Sequence, residues 1–141
     1  MQIWGDPAGR IKDGVAMRTY FDHLSLAGLH AMPAPTNDID VRIQCIKTPM
    51  TRFYNGQPGI IISPSCVVLI EALEEKWNYK RLNVAGEVRF DDKPNKYHPW
   101  SDACDALGYL LMGGGEHRIL TTGQNAGNVQ PHVMDMSWDV I

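Results

Sequence analysis

Short apolar runs alternate with capped helical stripes through the first two-thirds of this chain, and that alternation restricts its fold more than any other feature. Strands that give way to amphipathic helices and then return as strands build an α/β layer structure. The first run, "MQIWGD", reads as a short strand whose end delivers Asp6, and "PAGRIKDG" reads as a loop. Met17, Tyr20, Phe21 and Leu24 fall at helical spacing, with Asp13 as the candidate cap and Gly28 as the stop. "LHAMPAP" reads as a second short strand, which Pro33 and Pro35 keep from being a long central one. Asn37, with Asp40 three residues on, then opens a helix in a box-like pair. Its stripe is Ile39, Ile43, Ile46, Met50 and Phe53, and Pro49 inside that stripe predicts a kink or an early end.

Further along, Asn55-Gly56 signals a turn and "PGIIIS" a buried short strand. Ser65 is the expected cap of a helix in which Cys66, Ile70, Leu73 and Trp77 repeat at helical spacing. "NYKRLN" and "EVRFDD" flank "VAG" as a hairpin. Ser101 caps the last helix, whose apolar side is Ala106, Leu107, Leu110 and Leu111, and Gly113 to Gly115 end it. These elements make one domain over residues 1–115. From Glu116 to Ile141 periodicity is weak, which predicts a loose tail docked through Val133 and Trp138.

A chain of 141 residues suits one core, and 44% hydrophobic with 21% charged residues is ordinary for a globular protein. The net charge of -3 gives no overall electrostatic footprint for nucleic acid, so any such contact has to be local. Cys45, Cys66 and Cys104 are odd in number and lack CxxC or Cys/His zinc spacing. That argues for small helix-packing residues in a reducing compartment and against a disulfide framework. No basic patch followed by an apolar run opens the chain, and Pro64 breaks its longest apolar stretch. Neither a signal peptide nor a membrane span is expected.

Asp6 has two readings. At the carboxyl end of a strand in an open α/β sheet a side chain lines the usual ligand crevice, where a carboxylate can hold Mg²⁺ or Mn²⁺. Equally, Asp before Pro is a common turn opener. Asp102 and Asp105 share a helix face, three residues apart. Both suit the positive end of the helix dipole. Asp105 also borders the apolar side, where a carboxylate needs a partner such as a metal ion. A two-metal nuclease needs at least three converging carboxylates. The five histidines show no HxH or HxxxH spacing, and of them only His98 falls near these acids. Lys80, Arg81, Arg89, Lys93 and Lys96, interleaved with Tyr79, Phe90, Tyr97 and Trp100, make either a nucleic-acid edge or a solvated hairpin. No Walker A, GxGxxG, GxSxG or HExxH motif occurs.

Four stretches in order, "GDPAGR", "PAPTNDIDVRIQCIK", "GQPGIIISPSCVVLIEAL" and "KPNKYHPWSDACDALGYLLMG", resemble the C-terminal nuclease domain of tailed-bacteriophage terminase large subunits, the DNA-packaging motors. The likeness spans about residues 1–113. It implies an RNase H-like fold, N-terminally truncated, with helices packed on a small mixed sheet. It also implies a two-metal Mg²⁺ or Mn²⁺ endonuclease cutting double-stranded DNA in the cytoplasm of an infected bacterium. Asp6 would be the middle catalytic carboxylate and Asp105 the last, with Asp102 an added metal ligand where many relatives carry His. The family's first catalytic Asp, its upstream strands and its ATPase domain have no counterpart in this sequence. The resemblance therefore implies a chain inactive alone, completed by the missing N-terminal part or by self-association, with the small terminase subunit and the portal as further partners. The alternative is a non-catalytic interaction module of the same fold that docks to a partner chain.

Overall fold

The computed structural model describes residues 2–84 and 86–123. β1 (Ile3–Gly5) and β2 (Ala31–Pro33) pair in parallel, Trp4 opposite Met32, and α1 (Tyr20–Leu26) lies on the crossover between them. Thr19 sets the start of α1. Its hydroxyl accepts from the Asp22 N–H at 3.1 Å, while the Asp22 carboxylate accepts from the Thr19 N–H at 2.8 Å. The cap is therefore Thr19, not Asp13. Asp13 instead takes the Val15 N–H at 3.1 Å and pairs with His23 at 2.9 Å, closing the loop ahead of the helix. Gly28 ends α1 at φ +82°, where a side chain would be strained.

This reciprocal cap yields a first prediction. Thr19→Ala should lower stability by about 1 kcal/mol at neutral pH, read as a shift in the urea midpoint. Hydrogen bonds from the Thr19 backbone, then its side chain, hold the Asp22 carboxyl below its usual 3.8. A depressed carboxyl contributes stability that is present above its unfolded value and lost as pH falls through the folded one. The Thr19→Ala penalty should therefore shrink below about pH 4. A penalty independent of pH would mean the box is not formed.

α2 (Ile39–Thr51) is capped by Asp38, whose carboxylate accepts from the Asp40 and Val41 N–H groups at 2.8 and 3.2 Å. Asn37, the expected cap, is thereby released for longer-range contacts. Pro49 does not end the helix. It lies within the last turn and gives up only the one i→i−4 bond its own nitrogen would have donated, while its ring is buried. β3 (Phe53–Tyr54) and β4 (Gln57–Pro58) form a hairpin through Asn55 and Gly56, both at positive φ as a type I′ turn demands. That turn takes Phe53 out of the helical stripe; it is 69% exposed. The residues actually buried on α2 are Arg42, Ile43, Cys45, Ile46 and Pro49.

The apolar run after Gly59 does not form the expected strand. Among the described residues it has no pairing partner, and a buried strand must bond its backbone. α3 (Val67–Glu71) starts at Cys66, because the Ser65 hydroxyl is turned to Ser63 at 2.8 Å. It continues as a π-helical turn over Ala72–Lys76. β5 (Tyr79–Val84) and β6 (Glu87–Pro94) form the longest hairpin. α4 (Trp100–Leu111) begins at Pro99, which leaves Ser101 buried inside the first turn and not at the cap.

The glycine run ends this helix as expected: after a last turn through Met112, Gly115 leaves helical geometry at φ 122°, and a separate helix, α5 (His117–Thr122), follows the kink. Gly113 is bare because the Trp4 indole of β1 lies against it, where a Cβ would collide. Glu116 pairs with Arg52 at the end of α2, both side chains largely buried. Residues 124–141, with Val133 and Trp138, lie outside the described residues.

The result is a mixed α/β structure in which the described residues form three separate two-stranded sheets, β1–β2, β3–β4 and β5–β6, in place of one mixed sheet. Its core is the seam between α2 and α4, where Cys45, Tyr109 and Met112 meet Ala34 just after β2. Among the described residues no helix is long and apolar enough to cross a membrane. Cys45 and Cys104 are buried helix residues, as expected, and burial pushes their thiols up to about 11 and about 12. Cys66 is exposed and packs nothing. One thiol of three should therefore react promptly with an aromatic disulfide reagent at pH 8, and all three in denaturant. Rapid reaction of two or three native thiols would mean the seam is open.

Candidate functional site

β1 ends at Gly5, and the chain turns at once into a 3₁₀ turn over Pro7–Arg10. Asp6 caps that turn, its Oδ1 accepting the Ala8 N–H at 2.8 Å. Phe21 of α1 packs under Gly5 and Gly9, which fixes the turn against the helix. Asp105 projects from α4 with its side chain 22% exposed. These two acids, from opposite ends of the described chain, line one cavity of about 300 Å³. α2 contributes Arg42 and the end of β6 contributes Lys93; Asn37, Lys96 and Tyr109 complete its polar wall.

Arg42 is the centre of this arrangement. It is 4% exposed, with its aliphatic stem against Gly108 where α2 and α4 approach closely. Its guanidinium lies 4.6 Å from the centre of the Tyr109 ring, close enough for a cation–π contact. One Nη donates to Asn37 Oδ1 at 3.3 Å and the other lies 3.4 Å from Asp105 Oδ1. Among the described residues its buried Nε has no hydrogen-bond partner. The second Asp105 oxygen accepts from Lys96 Nζ at 3.1 Å. Tyr109 donates its one hydroxyl proton to Asn37 Oδ1 at 2.6 Å. Burial, and then the neighbouring Asp6 carboxylate, push the Tyr109 hydroxyl up to about 12. Tyr109 is therefore a neutral donor throughout the physiological range.

No family model, no curated protein and no solved structure matches this chain.

Of the acids singled out from sequence, Asp6 and Asp105 line the same cavity. Asp102 is not part of its wall; it is exposed and bonded to His98 Nδ1 at 2.7 Å. The basic cluster divides in the same way. Lys93 and Lys96 reach the cavity, while Lys80, Arg81 and Arg89 do not line it. In the hairpin register Arg81 stands opposite Phe90 and Arg89 opposite Leu82, so these two arginines are on opposite faces. Arg89 also pairs with Glu87 at 3.2 Å. A single basic edge along the hairpin is not what the fold builds.

Sequence reasoning missed Arg42, Asn37 and Tyr109. A signal for Arg42 was present, since it falls between Ile39 and Ile46 at helical spacing, and a charge on an apolar stripe must find partners.

Among the described residues no three His, Cys, Asp or Glu side chains cluster closely enough to hold a metal ion. Mg²⁺ is commonly held by one or two carboxylates together with water and phosphate oxygens. Asp6 and Asp105 thus give this cavity two carboxylates, short of the three that a two-metal site needs. Any cation bound there has to displace Arg42 and Lys96 from Asp105.

Proposed function

We propose that this chain is the second half of a divalent-metal-dependent DNA endonuclease domain, RNase H-like and of the terminase large-subunit type, and that it is inactive alone. One observation carries the reading: Asp6 at the end of a parallel β-strand and Asp105 on the closing helix share a cavity whose wall also carries the cations Arg42, Lys93 and Lys96. The carboxylates would hold Mg²⁺ or Mn²⁺, which would activate water and stabilise the leaving oxygen of a phosphodiester. Lys93 and Lys96 would draw the DNA backbone to that ion. Asp6 and Asp105 are the only acids of the described chain on the cavity wall, so the reading requires a third carboxylate from another segment or chain. In the packaging setting, the N-terminal part of the large subunit would supply it, and the small subunit and portal would be neighbours in the host cytoplasm.

The test is Mn²⁺ titration of the full chain by electron paramagnetic resonance, run beside nicking of supercoiled plasmid. Each is done with and without the polypeptide encoded immediately upstream. Mn²⁺ binding that requires Asp6 and Asp105, with nicking only in the completed protein, is the expected result. No Mn²⁺ binding in either state defeats it.

One observation favours a second reading, a non-catalytic module that docks to a partner chain. Both oxygens of Asp105 are already engaged by Arg42 and Lys96, so this carboxylate is satisfied without any ion. Nicking by the chain alone, lost on Asp105→Ala, would remove that reading.

A further inference from the structure

The charged groups of the cavity do not balance. Arg42, Lys93 and Lys96 are cationic, Asp6 and Asp105 are anionic, and Tyr109 is neutral, which leaves one positive charge in excess. The anions are also the better satisfied groups. Asp105 has a cationic partner on each oxygen, and Asp6 takes a backbone N–H. The unspent capacity is on the cations. Among the described residues Lys93 makes no ion pair, and the Arg42 Nε, buried in the wall, has no acceptor. Lys96 is 70% exposed and held only at its tip, so it can swing.

We infer that this cavity is an oxyanion site that takes a phosphate group in the absence of any metal, with Lys93, Lys96 and the Arg42 guanidinium as its cationic donors. Three converging cationic side chains, with the Asn37 amide beside them, match the several oxygens of a phosphate better than the two of a carboxylate. A volume of about 300 Å³ is at the lower end for small-ligand sites and admits a phosphate with an attached sugar. Within this site Asp105 is the internal competitor. It holds the cations in place while the cavity is empty and gives up Lys96 when a phosphate enters. This does not depend on the nuclease reading, because it concerns the cavity with no cation bound.

The test uses the full chain in EDTA, with phosphate binding followed by ³¹P nuclear magnetic resonance and by calorimetry. Inorganic phosphate and dimethyl phosphate are titrated separately. Saturable binding is expected, weakened roughly tenfold by Lys93→Gln with Lys96→Gln, each lost pair being worth about as much as an exposed ion pair. Asp105→Asn should do the opposite and tighten binding about fivefold, because it frees Lys96 and removes a repelling charge. Binding of dimethyl phosphate as well assigns the site to a phosphodiester backbone, and binding of inorganic phosphate alone assigns it to a free phosphate or a monoester. Absence of saturable binding, or a weaker phosphate complex in Asp105→Asn, overturns the inference. Mn²⁺ binding is measured separately, so either idea can fail while the other stands.

Discussion

Arg42→Ala should lower the free energy of unfolding by about 2–4 kcal/mol, the largest loss expected of any single substitution on the cavity wall. Three effects add at this residue. Its stem fills the space where α2 meets Gly108 of α4, and truncation leaves a void there. Its guanidinium covers the face of Tyr109, and that contact goes too. Finally, Asp105 keeps only Lys96, an exposed and weakly held partner, for a side chain that is 22% exposed. Arg42→Met separates packing from charge. It refills most of the void but leaves Asp105 half-paired, so it should recover about half of the loss. Arg42→Met with Asp105→Leu should then be more stable than Arg42→Met alone, since a buried pair replaced by apolar residues is often neutral. Urea unfolding with a constant m-value is the measurement. An Arg42→Ala protein within about 0.5 kcal/mol of the parent, the usual range for surface substitutions, would mean that this arginine does not organise the seam.

Arg42 also shows where sequence reading stops. The alternation of strands and helices, the Asn55-Gly56 turn and the β5–β6 hairpin are local patterns, and local patterns were enough to find them. Asn37 and Asp38 are equally good caps by side-chain chemistry. Asn37 is occupied instead by Arg42, five residues on, and by Tyr109 from a distant part of the chain, which leaves the cap to Asp38. Gly115 ends its helix as the local pattern predicts. Gly113, in the same run, is glycine so that Trp4 can lie on it, a constraint set by a residue near the opposite end of the described chain. The run after Gly59 has the composition of a strand, yet strands exist only where a partner is available. The cavity follows the same rule. Each of its acids was visible as a residue type at an element end, but the cations that share the space with them come from α2, from β6 and from the loop that follows it. Only the fold brings these segments together.

The second large effect concerns cleavage. In the nuclease proposed above, Asp105→Asn and Asp6→Asn should each lower plasmid nicking at least about a hundredfold, since loss even of an outer partner of a metal ligand costs 10- to 100-fold. Asp102→Asn should change the rate less than about threefold. This contrast follows from position, because Asp102 and Asp105 are one helical turn apart and chemically identical. Asp102 faces solvent and holds His98, and Asp105 faces the cavity. Removing the Asp102 carboxylate thus costs one exposed pair, worth at most about 1 kcal/mol. Nicking rates at saturating Mn²⁺, with folding checked by circular dichroism, decide the matter. Equal losses in Asp102→Asn and Asp105→Asn would mean that the ion is held on the helix surface and not in the cavity. In that case Asp6 has no place in the reaction.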